Sequence, residues 1–98
     1  MSFPTSNDAN VRRLRQLLES IVLALHKHAD GRFERAARAR ETVDEVFPPY
    51  PPLKTVLAST DVVTDTAEAI ALLNQLSAEA RSPREVLRFA LARDELRS

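Results

Sequence analysis

The sequence predicts an all-α fold: a small helical bundle of four principal helices, with a short helix after a proline-rich elbow. Three observations carry this. The 98-residue chain has a single glycine and few aromatic or β-branched residues beside abundant alanine and leucine, which disfavours sheet. Its apolar residues recur at three- and four-residue spacing. Four of its six prolines fall in Phe47-Pro48-Pro49-Tyr50-Pro51-Pro52-Leu53, between segments that read as helix. Proline fixes φ and lacks an N–H, so neither a helix nor a central strand runs through this stretch. A rigid polyproline connector over 47–53 is expected there.

The first helix is expected to start near Asn7 or Asp8, either able to cap it, and to run to about Ala29. Residues 1–6 read as a flexible tail. Val11, Leu14, Leu18, Ile21, Leu25 and His28 form a heptad-like seam. Asp30-Gly31 reads as a turn, with Gly31 as a C-cap and Asp30 capping the next helix. The spacing Leu25, Ala29, Phe33 also permits one continuous helix; the break is the reading adopted. The second helix is expected over Arg32 to Val46, with Phe33, Ala36, Ala37, Val43 and Phe47 on its apolar side. Pro48 ends it, because the residue before proline is pushed out of the α region.

Beyond the connector, Leu53 to Ala58 reads as a short helix, and Ser59 to Thr64 as a loop whose Val62 and Val63 plug into the core. The third helix is expected from Asp65, with Glu68 as its capping-box partner, to about Ala80. Ser82-Pro83-Arg84-Glu85 is the clearest start signal: a capping serine, proline at the first helical position and glutamate at the third. The last helix follows to about Leu96. The whole is expected to form one domain over 1–98.

Composition narrows the function classes. A hydrophobic fraction of 44% with 29% charged residues suits a folded domain. Net charge is zero, so no global field draws the chain to nucleic acid or to an anionic membrane. The absence of cysteine removes disulfides, thiol nucleophiles and thiolate zinc sites, and suits a reducing compartment. The N-terminal residues lack a signal-peptide pattern, and the longest apolar run is Ile21 to Leu25. A cytoplasmic protein without membrane contact is expected.

No motif points to catalysis. A lone glycine excludes phosphate-cradling and dinucleotide loops, and no Gly-x-Ser-x-Gly elbow is present. The pairs Asp44-Glu45 and Asp94-Glu95 sit on polar helix surface, unlike the buried setting acid–base work requires. His26 and His28 point to nearly opposite sides of a helix. His26 with Asp30 supplies at most two ligands, below what a transition metal needs. The chain is therefore read as a non-enzyme with no cofactor and no metal.

Interaction surfaces are the stronger signal. On the first helix an apolar arc of roughly 160° runs from Ala24 through Leu17, Ile21, Leu14, Leu25, Leu18 and Val11 to Val22, wider than one neighbour requires. Leu23 lies in the opposite arc among Arg12, Gln16, Glu19 and Lys27. On the last helix Phe89, Leu96, Ala92, Val86 and Ala90 make one side, while Leu87 and Leu91 continue well around it. The third helix is cleanly one-sided. A protein–protein interaction module is expected: an accessory subunit, adaptor or inhibitor that self-associates or binds a larger partner through its first and last helices. Its expected contacts are Leu17, Leu23, Leu87, Leu91 and Tyr50, with Ala24 not among them. Pro48 to Pro51 and Pro49 to Pro52 also have the spacing that SH3-like grooves accept.

The alternative is nucleic-acid binding. Arginine outnumbers lysine twelve to two, which reflects either a GC-rich genome or bidentate anion recognition. Arg32, Arg35, Arg38 and Arg40 form a candidate anion-binding strip on the second helix. Interleaved Glu34 and Glu41, adjacent Asp44 and Glu45, and the lack of aromatic stacking positions weigh against it. Arg40 projects into the apolar arc, where Asp44, one turn on, is its expected partner.

Overall fold

The computed structural model describes residues 6–28, 31–47 and 55–97; of residues 6–8 it describes the backbone alone. Four helices account for most of them: α1 (Ser6–Leu25), α2 (Arg32–Val46), α3 (Val62–Glu79) and α4 (Pro83–Arg97). No strand occurs among the described residues. The all-α bundle is therefore the fold.

α1 begins slightly earlier than the capping residues suggest and ends four residues sooner. The His28 N–H donates to the Leu25 carbonyl at 2.9 Å, closing a tighter turn than the α ladder. The reason is burial. His26, Lys27 and His28 are all exposed, so burial gives little reward for another turn. His28 accordingly lies beyond the helix rather than in its last turn. The break at Gly31 is present, but the glycine caps the following helix rather than the preceding one. Gly31 has φ of +87°, in the left-handed region that costs glycine no steric penalty, and it occupies the cap position of α2. Residues 29 and 30, including the expected cap Asp30, lie outside the described residues.

α2 has the expected bounds. α3 starts three residues earlier than expected, at Val62. Its cap is Asp61, whose carboxylate accepts the Thr64 N–H at 3.1 Å and the Thr64 hydroxyl at 2.8 Å. Glu68 is thus no capping partner. It reaches sideways to α1, where Arg13 grips it with two bonds of 2.6 and 2.9 Å. Val62 packs against the core as expected, whereas Val63 is 81% exposed. The short helix expected over 53–58 is absent in its described part, since residues 55–59 have no regular structure. Leu57 there is 79% exposed and only Val56 is partly buried, too little of an apolar face to hold a helix in place. α4 begins where its motif places it. The Ser82 hydroxyl accepts the Glu85 N–H at 3.3 Å, and the Glu85 carboxylate accepts the Arg81 N–H at 3.1 Å.

The bonds from Thr64 hold the Asp61 carboxyl below the usual range. Its folded value lies below the unfolded value of about 3.9, so its contribution is present at neutral pH and is lost as pH falls through the folded value. Asp61→Ala is expected to lower the melting temperature at pH 7. The gap from the parent should narrow as pH falls below the unfolded value of about 3.9; a gap independent of pH would show that the carboxylate charge is not what stabilises the cap.

Cross-helix contacts give the topology. α1 neighbours α2 and α3; α4 also neighbours α2 and α3; α1 and α4 stand diagonally, as do α2 and α3. Arg40 to Glu19 and Arg15 to Asp44 run α2 antiparallel to α1. Arg38 to Glu95 and Arg88 to Glu45 run α4 antiparallel to α2. Arg13 to Glu68 with Ser59 to Ser20 runs α3 antiparallel to α1, and the short turn between α3 and α4 with Arg93 to Asn74 folds α4 back on α3, so every neighbouring pair is antiparallel. α2 and α3 consequently run in the same direction. The chain leaving α2 at Phe47 must rejoin at the other end of the bundle, about 22 Å away for a 15-residue helix. The fold is a four-helix bundle with one long crossover. At its near end Phe47 stacks on Phe89, with centroids 5.8 Å apart. At its far end the Ser59 N–H donates to the Ser20 carbonyl at 3.0 Å, and the Ser59 hydroxyl donates to Asp65 at 2.6 Å.

The core lies on the bundle axis. Leu14, Leu18, Ile21, Leu73 and Leu76 are fully buried, with Ala39 and Ala92 bringing α2 and α4 close together. No buried polar or charged residue interrupts it among the described residues. None of the described helices is long and apolar enough to cross a membrane.

Candidate interaction surfaces

The side chains expected to contact a partner divide into three groups. Leu17 is 2% exposed and belongs to this chain's own core; the wide apolar arc of α1 is consumed by its two neighbours α2 and α3. Ala24 is half-buried. Leu23, Leu87 and Leu91 are outward, at 40%, 59% and 44% exposure. Tyr50 and the proline spacings lie outside the described residues.

The first and last helices, both expected to carry partner contacts, stand diagonally in the bundle. Outer faces of diagonal helices look in opposite directions, so Leu23 and the Leu87–Leu91 pair form separate patches. The second patch is the larger. On α4 the core-facing side is satisfied by Phe89 and Ala92, with Leu96 packed beside them. Arg88 and Glu95 turn toward α2, and Arg93 toward α3. Leu87 and Leu91, one turn apart, both lie on the outer side of α4 and form a ridge. Arg84 precedes this ridge and Asp94 follows it, both exposed on the same face.

The arginine strip of α2 does not act as one unit. Arg38 donates through Nε and Nη2 to Glu95 at 3.2 and 3.1 Å. Arg40 donates to Glu19 of α1 at 3.1 Å rather than pairing with Asp44. The cross-helix partner wins because both side chains lie half-buried at the α1–α2 seam. Asp44 instead faces Arg15 at 4.0 Å. Partial burial raises the Asp44 carboxyl above its usual range, and the pull of Arg15 and Arg40 does not cancel it. Arg32 and Arg35 sit at the end of the bundle and line a cavity of about 50 Å³ with Ile21, Leu25, Thr66 and Leu96. Glu95 closes one side of that cavity and opposes the two arginines in charge.

His26 meets Phe33 edge-on at 5.3 Å; Asp30, the other ligand considered with it, lies outside the described residues. No group of three or more potential metal ligands clusters among the described residues. The bidentate Arg13–Glu68 pair holds the Glu68 carboxyl below its usual range through those two bonds. Sequence reasoning assigned Glu68 to a local cap, because only the antiparallel register of α1 and α3 brings Arg13 beside it. Val63, Leu57 and Val86 are exposed apolar residues that sequence reading placed in the core, in a short helix and on the apolar side of the last helix. Comparison with known protein families, characterised proteins and solved structures finds no match for this chain.

Proposed function

We propose that this chain is a non-catalytic protein-interaction module of the cytoplasm, acting as a small accessory subunit, adaptor or inhibitor. The observation that supports the reading is the Leu87–Leu91 ridge. The core of the bundle is complete without these two leucines, yet both stand on the outer face of a regular helix. Burying the exposed half of each against a partner is worth about 1 kcal/mol before the costs of association. Leu23 offers a second, smaller contact on the opposite side. The arginine-rich α2 favours a protein partner over nucleic acid, because Arg38 and Arg40 are already matched with carboxylates of neighbouring helices.

The size of the complex containing this chain in a native host extract tests the reading. The chain alone has a mass of 11.0 kDa. Gel filtration is expected to place it in a larger complex, and Leu87→Glu/Leu91→Glu to return it to the monomer position with its helical circular dichroism intact. Both proteins eluting as monomers would refute the ridge as an interaction site.

A further inference from the structure

We infer that the outer face of α4 pairs with the same face of a second copy, antiparallel, about a two-fold axis. The inference rests on reading that face as an interaction site and goes further by naming its occupant. Four outward residues of α4 recur at positions 84, 87, 91 and 94, the alternating three- and four-residue spacing of a coiled-coil seam. The seam reads Arg, Leu, Leu, Asp. A two-fold axis opposite Phe89 places residue 87 against 91 of the copy and residue 84 against 94 of the copy. Leu87 then meets Leu91, Leu91 meets Leu87, and Arg84 meets Asp94 at each end. Every layer is complementary in this register. A parallel pairing would instead oppose arginine to arginine and aspartate to aspartate, which is repulsive.

The residues beside the seam permit the approach. Arg88 is turned aside to Glu45 at 2.8 Å, and Glu95 is held by Arg38 on the same flank. Ala90 lies on the opposite flank and is too small to obstruct a partner. Asp94 also has Arg93 Nε at 3.7 Å, but its side chain keeps 67% of its surface open. A carboxylate accepts several donors at once, so an arginine of the copy is accommodated beside the contacts Asp94 makes within its own chain. A seam of one 15-residue helix buries less than the roughly 800 Å² per partner of a standard stable interface. The dimer is therefore weak and reversible.

Sedimentation of the purified chain from about 10 µM to about 1 mM is expected to show a monomer–dimer equilibrium, in keeping with a small interface. Leu91→Glu should abolish it. Arg84→Asp and Asp94→Arg each turn both attractive end pairs into repulsive ones and should weaken the dimer about tenfold. The double variant Arg84→Asp/Asp94→Arg restores the antiparallel pairs and should return the dimer to near the parent affinity. A strict monomer at the highest concentration overturns self-pairing, as does a double variant weaker than either single one. Self-pairing can fail in this way while a ridge-dependent complex persists in the host extract; that combination leaves the interaction reading standing with a different partner.

Discussion

Phe89→Ala is expected to remove about 3–5 kcal/mol of folding stability, the usual cost of emptying a buried aromatic site. Phe89 is 97% removed from solvent and is the largest buried side chain that α4 contributes. A domain of this size holds about 5–15 kcal/mol in total, so the variant sits near the edge of folding. Each kcal/mol corresponds to about 4–8 °C in melting temperature for a chain of this length. A drop of about 12–40 °C, followed by circular dichroism, is the expected reading. Phe89 also carries the ring of Phe47, where the crossover leaves α2. Phe47→Ala should therefore cost less in the Phe89→Ala background than in the parent, by about 0.5–1.5 kcal/mol. Strict additivity would mean that the ring contact adds nothing beyond burial and that the crossover is tethered elsewhere.

Leu18→Ala is expected to cost about 3 kcal/mol, within the range of about 2.7–5 kcal/mol seen when a buried leucine is truncated. Leu18 is fully buried on α1, at the centre of the seam formed with Leu14, Ile21 and Leu25. Truncation leaves a void that a four-helix ring closes poorly, since each helix is held by two neighbours. Leu23→Ala is the control. It sits on the same helix with the same side chain but faces water, and its change should stay within about 0.5 kcal/mol in the monomer. Urea titration of both variants measures the contrast. Equal losses would show that the outward placement of Leu23 is wrong, and with it the division of α1 into a core face and an outer face.

Much of the bundle was legible from local chemistry. α2 has the predicted bounds because Gly31 and Pro48 punctuate it through backbone sterics alone. α4 starts at Pro83 because Ser82 and Glu85 satisfy backbone donors that any helix start leaves open. The start of α3 was misread in favour of Asp65 and Glu68, although Asp61 with Thr64 is an equally local cap. What decided between them was tertiary. Asp65 is engaged by Ser59, and Glu68 by Arg13 across the α1–α3 seam. The same holds for Arg40, whose expected partner one turn on, Asp44, lost to Glu19 on another helix.

The interaction surface shows the division most clearly. The helical period marked Leu17, Leu23, Leu87 and Leu91 as apolar residues beyond what one neighbouring helix needs. Periodicity gives the angle of a side chain about its own helix and nothing about how many helices pack there. α1 has two neighbours, so its wide arc is absorbed and Leu17 is core. α4 also has two neighbours, yet Leu87 and Leu91 lie past the arc they cover. By itself, then, the sequence determined the helices, their punctuation and the rank of apolar residues along each face, because these follow from backbone sterics and local hydrogen bonds. Only the tertiary structure decided which faces are spent on the core, that α1 and α4 stand diagonally, and which carboxylate each arginine finds. Those outcomes depend on the direction and adjacency of helices far apart in the chain, which no local period encodes.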